Sequence, residues 1–455
     1  MKIKLIHPSS LDEFGKPRRY KKLNMLSMTL PLVAALTPDD VEVEIVYDAV
    51  EDINYDDKVD LVGITALTNL APRAYQIAQE YRKRGVKVVM GGMHVTALPK
   101  EALLYADSVV VGEAEDIWPK LVADFQKTKK LEPVYKAESF PDLKKLVIPR
   151  YDLLKLDQYV RPPLSELPVI NTFTTRGCPF NCSFCSVKKF FGGKYRLKPI
   201  ENVIKEIEHY ASKCDNVFFI DDNILGNKKY AEELFNALIP LNISWYSQFD
   251  STALKEPELV ELAGKSGCSE MLVGFETLNP ENLRTVNKSF NKVETYKELI
   301  NMLRDNGINP EATMMIGMDY DELDVVDRTA DFLLENGVLD FRVSIVTPYP
   351  GTEFHRKLDE EGRIIERDWS KYDVNHAVFQ PKNMNPEQLE ECLWKIYDKT
   401  YSYMGIAKRL WKLRNNYFGK FKSKHSIKND LTYQLYIHKV TKMRRDPVSD
   451  LPLDD

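Results

Sequence analysis

Short β-rich runs and helical stretches take turns along most of this chain, in two separate series. The first covers residues 2 to about 126, where IKLI, VEVEIV, DLVGIT, VKVVMGG and SVVVGE are separated by segments such as 71-APRAYQIAQEYRKRG-85. That rhythm specifies a parallel, doubly wound α/β sheet of the Rossmann kind. Ligands of such sheets sit beyond the carboxyl ends of the strands. The turns at 7–10, 65–68, 91–96 and 112–115 are therefore the first places to look for binding. From about 127 to 170 the rhythm breaks, with scattered prolines and no sustained period, which reads as a linker.

The second series opens with 171-NTFTT and continues through strands 217-VFFID, 244-SWYSQF, 270-EMLVGF, 311-EATMMIG and 341-FRVSIV. Helical segments at 200–213, 228–238, 256–265, 280–305 and 323–336 separate them. Six β/α units in a row predict a partial (β/α)6 barrel whose chemistry lies on the loops after its strands. The expected organisation is a first domain over 1–135, a linker over 136–170, a barrel over 171–350 and a mostly helical accessory region over 351–455.

With 455 residues, 44% hydrophobic and 29% charged, the chain can bury more than one core. A net charge of -5 speaks against nucleic acid as the main partner. The start, MKIKLIHPSS, reaches Pro8 too soon for a signal peptide. The longest apolar run, MTLPLVAAL, is half the length of a membrane span, so a cytoplasmic protein is expected. In a reducing cytosol, clustered cysteines bind metal or do redox work in preference to forming disulfides.

Three of the six cysteines fall in 174-TTRGCPFNCSFCSVKKFFGG-193, directly after the first barrel strand. The C-x3-C-x2-C spacing of Cys178, Cys182 and Cys185 departs from the paired C-x2-C arms of structural zinc sites. Three thiolates on a four-iron cubane leave one iron open to a further ligand. The competing reading is a zinc knuckle completed by a remote histidine. Cys214, Cys268 and Cys392 stand singly and read as small buried apolar residues.

The loop, in this position, resembles the signature of the radical SAM enzymes. The resemblance implies a 4Fe-4S cluster on Cys178, Cys182 and Cys185, with S-adenosylmethionine on the open iron as the source of a 5'-deoxyadenosyl radical. It also implies contacts to that cofactor: Phe184 against the adenine, and Gly317 of 313-TMMIG-317 beside it. Asp222 and Asn223 of 218-FFIDDNILGN-227 and Glu276 of 274-GFE-276 would reach the ribose or the methionyl ammonium. Plainer roles are open to several of these, core packing for Phe184 and helix capping for Asp222 or Asn223.

The segment 347-TPYPGTEF-354 resembles a signature of radical SAM proteins with an N-terminal cobalamin-binding domain, and 91-GGMHVTALP-99 and 108-SVVVGEAE-115 resemble that domain itself. The cobalamin contacts this implies are Thr65, Gly91, Gly92, His94, Gly112 and Glu113, the glycines letting the backbone come close to the corrin. The D-x-H-x-x-G signature that supplies a histidine to cobalt is missing around His7, which has no Asp two positions before it. Cobalamin held without a histidine ligand is expected, and His94, the only other histidine of this domain, either faces the cofactor or is a helix or turn residue.

Together the resemblances cover about residues 1–350 and imply a cobalamin-dependent radical SAM C-methyltransferase. An unactivated C–H carbon cannot attack a sulfonium methyl group, so a radical opens the carbon and methylcobalamin delivers the methyl group. The alternatives are a radical cyclase of the anaerobic tetrapyrrole type and a non-catalytic cobalamin or S-adenosylmethionine sensor, and the intact cysteine triad speaks against the sensor. Electrons are expected from flavodoxin or ferredoxin, and the substrate is left among lipids, tetrapyrroles, protein side chains and small natural products.

Residues 401–445 carry twelve Lys or Arg and one acidic residue. Ile406, Leu410, Leu413, Tyr417 and Phe421 fall there at near-helical spacing, with Lys408, Lys412, Arg414 and Lys422 among them. Such a helix either lies on an anionic membrane, making the protein peripheral to it, or packs its apolar stripe on the barrel and leaves a solvated basic face.

Overall fold

The structure is a computed structural model that describes the whole chain except residues 24, 26, 146, 160–168, 215, 418–426 and 443–455. Strands β1 (Lys2–His7), β2 (Glu42–Tyr47), β3 (Leu61–Thr65), β4 (Lys87–Gly91), β5 (Ser108–Val111) and β6 (Val134–Lys136) form one sheet. Its order is β2-β1-β3-β4-β5-β6, parallel throughout. The order reverses between β1 and β3, which puts the switch point of the sheet beside the turn after β3. Apolar side chains lie buried on both faces of the strands: Leu5 belongs to a core with Trp118 on one side, Ile6 to a core with Tyr75 and Tyr81 on the other. Gly63 stands opposite Leu5 in register, and a Cβ there would come 2.8 Å from the Leu5 side chain.

Strand β6 is absent from the sequence expectation. Only Tyr135 of its three residues is buried, so it carries no apolar pattern to read. The segment expected as a linker packs closely at two points, with Tyr151 and Tyr159 each 1% exposed. The Tyr151 hydroxyl donates to the Asn171 carbonyl at 2.5 Å.

The second sheet runs β14-β13-β12-β11-β10-β7, again parallel and in chain order. Its strands are β7 (Val169–Thr172), β10 (Asn216–Phe219), β11 (Ser244–Phe249), β12 (Cys268–Glu276), β13 (Asn309–Ile316) and β14 (Phe341–Ile345). A sheet of six parallel strands in sequence order curls into a partial barrel, with helices outside. Between β7 and β10 a small antiparallel pair, β8 (Thr175–Arg176) and β9 (Arg196–Leu197), brackets the cysteine loop.

The helical segment expected over 280–305 consists of two helices, Pro280–Thr285 and Tyr296–Asp305. The chain turns between them at Asn287, with φ 58°, and sends Lys288 and Asn291 inward. After the barrel, helix Pro386–Thr400 starts at an Asn385 capping box and packs on β14, where the Tyr397 hydroxyl donates to the Val343 carbonyl at 3.0 Å.

In helix Tyr403–Tyr417, Ile406 and Leu413 are buried, and fully buried Arg409 donates to the carbonyls of Val338, Leu339 and Thr400 at 2.8–3.1 Å. The apolar stripe at Ile406 and Leu413 is thus spent on the protein's own core, which corrects the membrane-surface reading for this part of the stripe. Phe421 and Lys422 lie outside the described residues. No described helix is long and apolar enough to cross a membrane.

Candidate functional site

The carboxyl ends of β3, β4 and β5 face the β8–β9 region across a cleft that opens to solvent. Thr65, Gly91, Gly92 and Gly112 line it from the first sheet, with Leu30, Leu32 and Val33 of helix Thr29–Ala35. Phe173, Arg176, Phe190, Phe191 and Asp222 line it from the barrel side. Two glycines shape the near wall. At Gly92, with φ 100°, a Cβ would stand 2.8 Å from the Ala66 carbonyl oxygen, so only glycine fits the turn into helix Met93–Ala97. At Gly112, with φ 89°, a Cβ would meet nothing within 4 Å. Its N–H is held by Thr96 Oγ1 at 3.0 Å, leaving bare backbone open to close approach by a large ligand.

His94 is not part of this wall. The helix that begins after Gly92 carries it away from the cleft into full burial, where Nε2 lies 3.0 Å from the Tyr75 hydroxyl and the ring stands edge-on to Trp369. Glu101 closes the group, accepting from Tyr75 at 2.9 Å and from the Trp369 indole N–H at 2.9 Å. The expected cobalamin contact is therefore corrected to a link between the first sheet's helices and the C-terminal region.

Glu113 lines the cleft, but its carboxylate is engaged by Arg176 and by Arg196, the latter at 2.5 Å from Oε1. Arg176 also reaches Glu115 at 2.5 Å. Burial opposes the charge on Arg176, and Glu115 and Glu113 outweigh it, so its pKa is raised.

Beyond Arg176 the chain turns at Gly177, with φ 86°, where a Cβ would sit 2.5 Å from the Lys194 carbonyl oxygen. The cysteine loop follows. Its path is pinned by hydrogen bonds from Cys185 N–H to the Cys182 carbonyl and from Ser183 N–H to the Val286 carbonyl, both 3.1 Å. Burial pushes each of the Cys178, Cys182 and Cys185 thiols up to about 11, and each is further raised by the charge of another of the three. Such thiols give up their protons to a bound metal, whose positive charge replaces them. Among the described residues no three His, Cys, Asp or Glu side chains come close enough to hold a single ion.

Around the loop stand the other expected residues. Phe184 is half-buried against the barrel core. Asp221 is fully buried and accepts from Thr174 N–H and from the hydroxyls of Thr174 and Thr175, at 2.5–2.9 Å, so it braces the strand ends. Its neighbour Asp222 accepts from Gly177 N–H at 3.0 Å and faces the cleft, where burial pushes its carboxyl up to about 7. Asn223 donates to Asp250 at 2.5 Å and accepts from Leu225 N–H at 3.3 Å. Glu276 ends β12 in the left-handed region, φ 67°, where the register with β13 shifts, and its carboxylate pairs with buried Lys288. Burial works against the Lys288 charge, but Glu276 and Cys182 outweigh it and hold its pKa up. Gly317, with φ 94°, is required by packing, since a Cβ would stand 2.6 Å from Leu389.

The Radical SAM superfamily matches residues 172–333 and the B12 binding domain residues 24–122. Bacteriochlorophyllide d C-12(1)-methyltransferase of Chlorobaculum tepidum is 33% identical over 356 residues, 77% of this chain and 76% of that one. The chain belongs to the cobalamin-dependent radical SAM methyltransferase family. A second relative of this radical SAM protein, bacteriochlorophyllide d C-8(2)-methyltransferase of the same organism, is 33% identical over 85% of this chain and 87% of its own. In fold, the enzyme matches the cobalamin-dependent S-adenosylmethionine radical enzyme OxsB, solved with aqua-cobalamin and S-adenosylmethionine. That match has TM-score 0.67 and 13% identity, over 97% of this chain and 72% of that one. The family implies a 4Fe-4S cluster, S-adenosylmethionine and cobalamin, and the thiol loop and the glycine-walled cleft fit them.

Sequence reading missed Arg176, Arg196, Asp250 and Lys288. Arg176 stood in plain sight, two positions before Cys178, but its carboxylate partners lie over sixty positions upstream. Lys288 has no local signal, since only the break after Thr285 turns it inward.

Proposed function

We propose that this enzyme methylates an unactivated carbon of a large, mostly apolar ring substrate, a tetrapyrrole of the chlorin type. The observation that carries the reading is that the glycine-walled end of the first sheet and the residues flanking the cysteine loop open onto one cleft. When bound, S-adenosylmethionine on the cluster supplies the radical that removes a hydrogen atom, and methylcobalamin supplies the methyl group. Cys178, Cys182 and Cys185 hold the cluster as thiolates. Phe184, Asn223 and the Glu276–Lys288 pair are assigned to S-adenosylmethionine, with Asp222 on the cleft side and the backbone at Gly317 beside the adenine. Thr65, Gly91, Gly92 and Gly112 are assigned to cobalamin, and Phe190 and Phe191 to excluding water from the cleft.

The tetrapyrrole assignment is supported by the two Chlorobaculum relatives, both named for bacteriochlorophyllide d, and by the apolar lining of the cleft. A small flavodoxin- or ferredoxin-type protein is the proposed electron donor.

The test is anaerobic purification, iron reconstitution and loading with hydroxocobalamin, then reduction with S-adenosylmethionine and bacteriochlorophyllide d. Deoxyadenosine, S-adenosylhomocysteine and a methylated pigment are expected together. Deoxyadenosine with bound corrin but no methylated pigment sinks the tetrapyrrole assignment. Deoxyadenosine with a ring-closed product favours the cyclase reading instead.

A further inference from the structure

Gly112, whose bare backbone faces the cleft, is followed at once by Glu113, and Arg176, which engages Glu113, stands two residues before the first cysteine. The two cofactor-facing loops are therefore joined at their roots. The joint is a four-membered charge cluster. Glu113 is held by both Arg176 and Arg196, and Arg176 is held by both Glu113 and Glu115. Water is largely shut out, the side chains of Glu113 and Arg176 being 2% and 8% exposed. The guanidinium of Arg176 lies 4.2 Å over the Phe173 ring and 5.8 Å from the Phe191 ring, and that of Arg196 lies 4.7 Å over Phe140. Rings on these sides restrict where the guanidinium planes can go, and the carboxylates then fix their rotation.

We infer that Arg176 and Glu113 form a clasp that sets the separation between the cobalamin site and the cluster. The reaction needs that separation to be single-valued, because the methyl group and the carbon radical must meet in one geometry. A misplacement of ~1 Å costs on the order of 100-fold in rate. Three ion pairs set against aromatic rings supply a stiffer spacer than apolar contact, since breaking a buried pair leaves an unpaired charge and the pair has one low-energy geometry. Arg176 and Glu113 act here as positioning residues. The inference rests on the reading that the cleft holds cobalamin.

The experiment is pulsed EPR on the full-length holoenzyme, loaded with cluster and cob(II)alamin and partly reduced, reading the magnetic coupling between the two centres without any substrate. Wild type is expected to give one narrow distance. Arg176→Ala and Glu113→Gln, each with both centres loaded, are expected to give a distribution about twice as wide, the spacer having been released. Arg176→Lys, which keeps the charge but loses the planar fork, is expected to give a width between those of wild type and Arg176→Ala, a graded effect that a merely structural role would show only in melting temperature. An unchanged width in Arg176→Ala and Glu113→Gln overturns the clasp. Where those variants lose a cofactor, Glu113→Asp, which keeps the charge but shortens the arm that meets Arg176, decides by the same criterion. A wild-type enzyme that holds the cluster but no corrin overturns both the clasp and the cobalamin reading. Corrin bound with an unchanged width overturns the clasp alone.

Discussion

Glu276 and Lys288 form a buried ion pair packed against Gly274, where a Cβ would stand 2.7 Å from both the Glu276 carboxylate and the Lys288 ammonium. The pair fills the space a side chain would have taken, and the left-handed backbone at Glu276 turns the carboxylate into it. Removing one partner leaves the other charged, buried and unpaired. Glu276→Gln is expected to destabilise the fold by about 3–5 kcal/mol, and the double variant Glu276→Gln/Lys288→Met to recover a large part of that. Denaturant midpoints of the anaerobic proteins check this. Equal losses in the single and double variants would show that the pair is not the relevant unit.

Cys182→Ala removes one of three thiolates from the loop and should abolish cluster assembly. Iron content and the visible absorbance of the cluster are expected to fall to background, and reductive formation of deoxyadenosine with them. Corrin binding by the first sheet should survive. Deoxyadenosine production at the wild-type rate in this variant would contradict the role given to the loop.

Gly112→Ala places a methyl group where the cleft offers open space, at a backbone angle that costs an L-residue about 1–2 kcal/mol. The fold tolerates this, because no neighbour is struck. Retention of hydroxocobalamin through equilibrium dialysis is expected to weaken by about tenfold or more, strain and lost approach acting together. Iron content should stay at the wild-type level. Undiminished corrin retention would move the cofactor away from this turn.

The two alternating series were legible because their strands are short apolar runs buried on both faces, as Ile3, Leu5 and Ile6 are in β1. Strand β6 was not, since one inward tyrosine in three residues is no pattern. The cysteine loop was legible because its ligands are neighbours in sequence. Arg196, Asp250 and Lys288 were hidden because their partners, Glu113, Asn223 and Glu276, are chosen by tertiary contact. His94 shows where sequence leaves two readings open and tertiary contact chooses between them. A histidine after two glycines at a strand end looks like a ligand-facing residue, yet the helix starting there rotates it onto Tyr75.

Asp319 accepts from Lys357, Arg363 and Lys382 at 2.9–3.1 Å. Burial alone would raise its carboxyl, but Lys382, Arg363 and Lys357 prevail and hold it down at about 2. A depressed folded pKa contributes stability above the ordinary value of 3.8 that is lost as pH falls through about 2. Lys357 and Lys382 are about half exposed, so screening reduces the contribution to about 1 kcal/mol. Asp319→Asn is expected to cost that amount between pH 7 and 5, with the gap from wild type narrowing below pH ~4. Urea midpoints across that range test the sign, and a gap that widens on acidification would refute it.

Among the described residues lining the cleft there is no histidine, and His94, the nearest candidate by sequence, is held by Tyr75 with its ring against Trp369. To reach the cleft it would have to leave full burial and give up its contacts with the Tyr75 hydroxyl and the Trp369 ring. Cob(II)alamin in the holoenzyme is therefore expected to show no nitrogen coupling from a protein imidazole in its EPR spectrum. His94→Ala should leave that spectrum unchanged while lowering the melting temperature, because the substitution opens a cavity between the first sheet's helices and the C-terminal region. The two readouts separate the roles. A spectrum that loses nitrogen coupling in His94→Ala would restore the histidine to the cobalt, and a variant with unchanged stability would remove it from the interdomain packing.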